Sequence, residues 1–157
     1  MRFVDKIKYA AVALLAAGGT LALSALATMN SSKVYEQIKK PFFAPSGKVF
    51  PIVWGILFLL MAVSSYIVLK GGAPNRKKAL LTYFAHLPVN FLWGVIFFDM
   101  QNFMLAFLWI LLLLAWVICF AYEFYKADKL AGLLQIPYAV WVAFAAVLNA
   151  AVWLLNR

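Results

Sequence analysis

Five long stretches of this chain carry no charged side chain: Tyr9 to Ser32, Val49 to Leu69, Ala79 to Phe98, Met100 to Tyr122 and Leu130 to Asn156. A helix needs about 20 apolar residues to cross a hydrocarbon core roughly 30 Å thick. Each stretch is long enough. A water-soluble bundle does not bury five such runs in succession. The chain has 157 residues, 67% hydrophobic and 12% charged, whereas a soluble domain carries about a quarter charged residues. A core this small cannot hide that excess, because a small domain has too much surface for its volume. The expectation is an all-α integral membrane bundle of five transmembrane helices with a structured first loop. It forms one domain over residues 1–157, with spans near 7–29, 48–70, 79–98, 101–124 and 130–155.

The net charge of +9 sits in the short connections. There it orients spans and meets anionic headgroups. No basic helix face or RNA-binding motif accompanies it, so nucleic acid is not an expected partner; membrane lipid is. Nine of the 14 Lys and Arg residues fall on one side: Arg2, Lys6 and Lys8, then Lys70, Arg76, Lys77 and Lys78, then Lys126 and Lys129. The positive-inside rule places that side, and the N-terminus, in the cytoplasm of what is expected to be a bacterial cell membrane. Lys33, Lys39, Lys40 and Lys48 of the first loop oppose this count. The first apolar run exceeds a signal-peptide core and reads as a retained helix with small residues (Gly18, Gly19, Ala22, Ser24, Ala25) for close helix approach. Cys119 lies mid-span and reads as a small apolar filler.

Only the first loop, from Asn30 to Gly47, has room for structure. "SSKVYEQIKKP" supports a short helix with Ser31 or Ser32 as cap and Pro41 as stop. Beyond it the chain is expected to run extended from Phe42 to Pro45, because residues before proline avoid the helical region. Phe42 and Phe43 are expected to turn toward the bundle, and Pro45 and Gly47 to lead into the second span. Asp99 marks a tight hairpin between spans three and four.

Polar groups at bilayer depth are where function is sought first. On the third span His86, Asn90, Trp93 and Phe97 share one helical face. Such a face serves either interhelical hydrogen bonding or a lined pocket. Pro88 interrupts the backbone ladder there. On the fifth span Pro137, Trp141, Ala145, Leu148 and Asn149 share a face, with Trp141 beside the recess above Ala145. Tyr138 and Trp153 are read as interface residues. On the second span Trp54, Phe58 and Met61 align. Trp109 and Trp116 read as belt or packing residues without polar company. Asp5, Glu36, Asp99, Glu123 and Asp128 all sit at or beyond span ends, so no coupled-transport carboxylate lies at depth. His86 alone does not make a metal site. No nucleophile–base pair or phosphate loop is present. The remaining chemistry suits a large, flat, lipophilic ligand.

"KPFFAPSGKVFPIVWGILFLLM", "VNFLWGVIFF" and "PYAVWVAFAAVLN", in that order, resemble the TspO/MBR family, and the resemblance covers nearly the whole chain. It implies a five-helix bundle, commonly a homodimer, that binds porphyrins as ligand and requires no cofactor. By motif it implies a pocket from Trp54, Asn90, Trp93, Trp141 and Ala145 under a lid that includes Tyr35, Phe42 and Pro45. With the faces above, the candidate ligand-binding set is Tyr35, Phe42, Pro45, Trp54, His86, Asn90, Trp93, Phe97, Trp141, Ala145 and Leu148. The family's lid usually carries Trp where Phe42 stands and Pro where Ser46 stands, which implies a looser lid here. Its dimer face on the third span is half kept, with Leu81 and Ala85. The implied function is a porphyrin receptor or sensor. The alternatives are light-dependent porphyrin breakdown, which would use Trp54 and Trp141, or tetrapyrrole or lipid transport.

Overall fold

The computed structural model describes residues 3–27 and 31–157, with side chains described for 7–22 and 31–157. Arg2 and Asn30 lie outside the described residues, and the side chains of Asp5, Lys6, Ser24 and Ala25 lie outside those described. The described residues form an all-α bundle. Helix α1 (Phe3–Ala27) is followed by the short loop helix α2 (Ser31–Gln37), then α3 (Val49–Lys70) and α4 (Arg76–Gly94). A wider π-helical turn, Val95–Asp99, continues α4, and α5 (Phe103–Ala127), α6 (Lys129–Leu133) and α7 (Ile136–Leu155) complete the chain. Among the described residues, four helical segments are long and apolar enough to cross a membrane: Val49–Lys70, Arg76–Asp99, Phe103–Ala127 and Lys129–Leu155. A shorter apolar segment, Ile7–Ala22, lies in α1. Together they make the five-helix membrane bundle that the uncharged runs require.

Large apolar side chains cover the outside as well as the core. Leu15 is 74% exposed and Leu81 70%; such residues belong against lipid, not water. Inside, α5 packs on α7 and α4, and α1 on α3. Trp109 and Trp116 of α5 are more than belt residues. Their indole N–H groups donate to the backbone carbonyls of Val89 (2.8 Å) and Thr82 (3.0 Å) on α4. The expected single fifth span is broken at its start: α6 ends at Leu133 and α7 begins at Ile136, with Pro137 in its first turn, where a missing N–H costs nothing. The hairpin after Asp99 turns through Gln101, whose φ is 49°. Asn102 then caps α5, its side-chain oxygen accepting from the Leu105 N–H at 3.1 Å.

The first loop departs from the expected extended path. Helix α2 forms where the sequence placed it. Lys40 then folds back, its ammonium donating to the carbonyls of Tyr35 and Glu36 and lying over the Tyr35 ring. The chain next makes a tight turn rather than a strand, with the Ala44 N–H on the Pro41 carbonyl at 3.0 Å. This turn throws Phe42 fully into the surroundings, at 100% exposure, while Phe43 rests edge-on against Phe144 of α7. Phe42 therefore does not cover the bundle.

Candidate functional site

Under the first loop lies a cavity of about 930 Å³, bounded by α1, α3, α4 and the loop. That volume falls in the range that takes drug-sized ligands, roughly 300–1,000 Å³. Its aromatic wall comes from two helical ladders. Phe50, Trp54 and Phe58 follow one another at every fourth residue of α3, and Asn90, Gly94 and Phe98 do so along α4 and its π turn. Fourth-residue spacing stacks side chains on one face of a helix. Trp54 lies 6.4 Å from Trp93, centroid to centroid, so the two indoles form one surface. Gly94 presents bare backbone between Asn90 and Phe98.

Few polar groups interrupt this surface. Asn90 is 5% exposed, and its side-chain carbonyl oxygen has no partner among the described residues. Asn90 lines the cavity wall, and this oxygen is itself buried there. At the loop side the lining carries Ser31, Ser32, Glu36, Ser46 and Lys48. The Tyr35 hydroxyl donates to the Pro45 carbonyl at 2.7 Å. Burial holds that phenol above its ordinary pKa, so it stays a donor at any physiological pH.

A small recess of about 10 Å³ adjoins the cavity behind Trp93 and Phe98. Phe97, Ala145, Leu148 and Asn149 line it, together with Tyr35 and Phe50. Asn149 closes it: its side-chain oxygen accepts from the Trp93 indole at 3.2 Å, and its amide donates to the Ala145 carbonyl at 2.7 Å.

The eleven candidate side chains thus separate into groups. Tyr35, Trp54, Asn90 and Trp93 line the cavity. Phe97, Ala145 and Leu148 stand behind Trp93 in the recess. Pro45 braces the loop through its carbonyl, and Phe42 faces away. Trp141 stands outside both linings, packed on Phe50 at 5.8 Å and Phe144 at 5.6 Å. His86 is fully buried elsewhere. Its Nε2 lies 2.8 Å from the Tyr138 hydroxyl and its Nδ1 3.1 Å from the Tyr83 carbonyl. A carbonyl can only accept, so Nδ1 carries the proton, and Tyr138 donates to Nε2. His86 is an interhelical bond between α4 and α7, and Tyr138 is a core residue, 1% exposed, rather than an interface one. The candidate set left out Phe50, Gly94 and Phe98, and also Asn149, although the sequence placed it on one face with Ala145 and Leu148. The fourth-residue repeats through Trp54 and Asn90 were the signal for the first three.

The described residues thus make an all-α membrane bundle with an aromatic cavity beneath its first loop. The family model for the TspO/MBR family matches residues 11–154. The chain belongs to the TspO/MBR family. It is 37% identical to the "Tryptophan-rich protein TspO" of Archaeoglobus fulgidus, over 78% of this chain and 79% of that protein. It is equally 37% identical to "Protein CrtK" of Rhodobacter capsulatus, over 78% of each. It is 32% identical to the human "Translocator protein", over 76% of this chain and 72% of that protein.

Proposed function

We propose that this chain is a membrane receptor that takes a tetrapyrrole, protoporphyrin or heme, into the cavity under its first loop. The observation that carries the reading is the joined Trp54–Trp93 surface in a 930 Å³ cavity, with the Asn90 carbonyl oxygen as an unpartnered buried acceptor. A flat macrocycle lies against indole faces. Its apolar area removed from water contributes about 25 cal/mol per Å². A pyrrole N–H suits the Asn90 oxygen, and a propionate suits Lys48 at the loop side, since charge-assisted hydrogen bonds are the strong ones. Of the first-loop lysines, Lys48 lines the cavity, whereas Lys40 is engaged on α2 carbonyls.

The test is a titration of protoporphyrin against tryptophan fluorescence in detergent micelles. Trp54→Ala should weaken binding by on the order of 2 kcal/mol or more, as for a central aromatic anchor. Trp141→Ala should weaken it less, because Trp141 reaches the cavity only through Phe50. Equal affinity in the wild type and Trp54→Ala would sink the pocket assignment. The homodimer implied by the family belongs to the same proposal. Leu81, 70% exposed, lies on the α4 strip that a partner copy would cover.

A further inference from the structure

We infer that Asn156 is a positioning residue of the cavity: it fastens the first loop to α7 and thereby sets how often the roof lifts. The first loop contributes to the cavity at both ends, through Tyr35 and Glu36 of α2 on one side and Ser46 to Lys48 on the other. Between these ends it is attached to α7. The Lys39 N–H donates to the Asn156 side-chain oxygen at 3.0 Å, and the Asn156 amide donates to the Lys39 carbonyl at 2.9 Å. One side chain thus pairs with both polar groups of one residue, 117 positions away in sequence.

The amide has no spare capacity. Its second proton goes to the Val152 carbonyl at 2.7 Å, one turn back in α7. That third bond fixes which end of the amide faces Lys39, and it anchors the latch to the helix rather than to a loose end. Aspartate at this position would lose both donated bonds, and alanine all three. The loop is also braced internally by Tyr35 on Pro45 and by the turn from Pro41 to Ala44. It therefore moves as a unit when released. The latch bonds are exposed. Exposed hydrogen bonds contribute little net free energy because water competes for them, which suits a fastening that must open.

Lys39 contributes only backbone atoms, and this separates the latch from any role of the lysine charge. Lys39→Ala keeps both bonds; Lys39→Pro removes the N–H. Amide hydrogen exchange over residues 38–49 of the full chain in micelles, without ligand, reads loop opening directly. We expect exchange about tenfold faster in Asn156→Ala and Asn156→Asp, given the modest net worth of two such bonds. Lys39→Pro should match them, Lys39→Ala should match the wild type, and the membrane-spanning helices should be unchanged in all four. A loop unaffected in the Asn156 variants, or equally loosened by Lys39→Ala, overturns the latch.

The consequence for ligand exchange rests on the tetrapyrrole reading. Stopped-flow protoporphyrin binding to Asn156→Ala should show association and dissociation both faster by a similar factor, with Kd little changed. A faster-opening loop with unaltered exchange kinetics means that ligand passes between helices and overturns the gating role. If protoporphyrin does not bind the wild type, the proposed function fails, while hydrogen exchange still decides the latch.

Discussion

Asn90 and His86 lie one turn apart on the same face of α4, yet only Asn90 lines the cavity. The difference is the partner each finds. His86 is held by Tyr138 and Tyr83, so its polarity is spent inside the bundle. The Asn90 oxygen has no partner among the described residues. These two environments predict opposite behaviour on mutation. Asn90→Leu should leave thermal stability equal or slightly raised, since it removes an unpaired buried acceptor. It should weaken protoporphyrin by about tenfold, the cost of one lost hydrogen bond. His86→Leu should lower stability by about 1–3 kcal/mol, because it strands the Tyr138 hydroxyl in the core. Ligand affinity should hardly move. The double variant His86→Leu/Tyr138→Phe should recover much of that loss, because removing both partners of a buried bond is nearly neutral. Thermal unfolding in micelles with a double-mutant cycle decides it. Additive losses would mean that the pair is not coupled.

At the scale of the elements, what the sequence discloses depends on whether local physics or tertiary contact fixes the answer. The spans were legible because absence of charge over a membrane thickness is a local property. The loop helix was legible too, from its serines and Pro41. The turn after Pro41 was not, since bracing by Tyr35 and docking of Phe43 on Phe144 decide it. Helical spacing put Trp141 and Ala145 on one face. The rotation of α7 about its axis, consistent with the Tyr138–His86 bond, placed Ala145 toward the recess and Trp141 against Phe50 of α3. The break between α6 and α7 shows the same limit. Gly132 lets α6 lie against α5 so closely that a Cβ there would sit 2.4 Å from the Tyr125 Cβ and 2.5 Å from its Cα. The Tyr125 backbone cannot yield as a flexible side chain would. Gly132→Ala should therefore separate α6 from α5 and cost about 1–3 kcal/mol, as overpacking does. A lowered unfolding temperature checks this, and an unchanged one would mean that α6 shifts without strain.

At the scale of the whole molecule, the unequal distribution of Lys and Arg must be read together with the groups that neutralise it. Lys78 and Lys126 both approach the Glu123 carboxylate, at 2.7 and 3.9 Å. Asn75 donates to the same carboxylate at 3.2 Å. This clasp ties the α3–α4 connection to the end of α5, and it offsets part of the positive charge there. The positive-inside rule counts Lys and Arg rather than net charge, so the proposed orientation still puts the side holding Lys70, Arg76, Lys77, Lys78, Lys126 and Lys129 in the cytoplasm. In that proposed orientation the first loop and its cavity face outward, and a ligand would reach the roof from that side. Labelling tests this without ligand. Cys119 is the chain's single cysteine, so Cys119→Ser gives a background without thiols. In intact cells a membrane-impermeant maleimide should modify Ser46→Cys in the first loop. Lys77→Cys at the start of α4 should react only after the cells are permeabilised. The reverse pattern would place the cavity on the cytoplasmic side, and the proposed receptor would then sample ligand made within the cell rather than ligand arriving from outside.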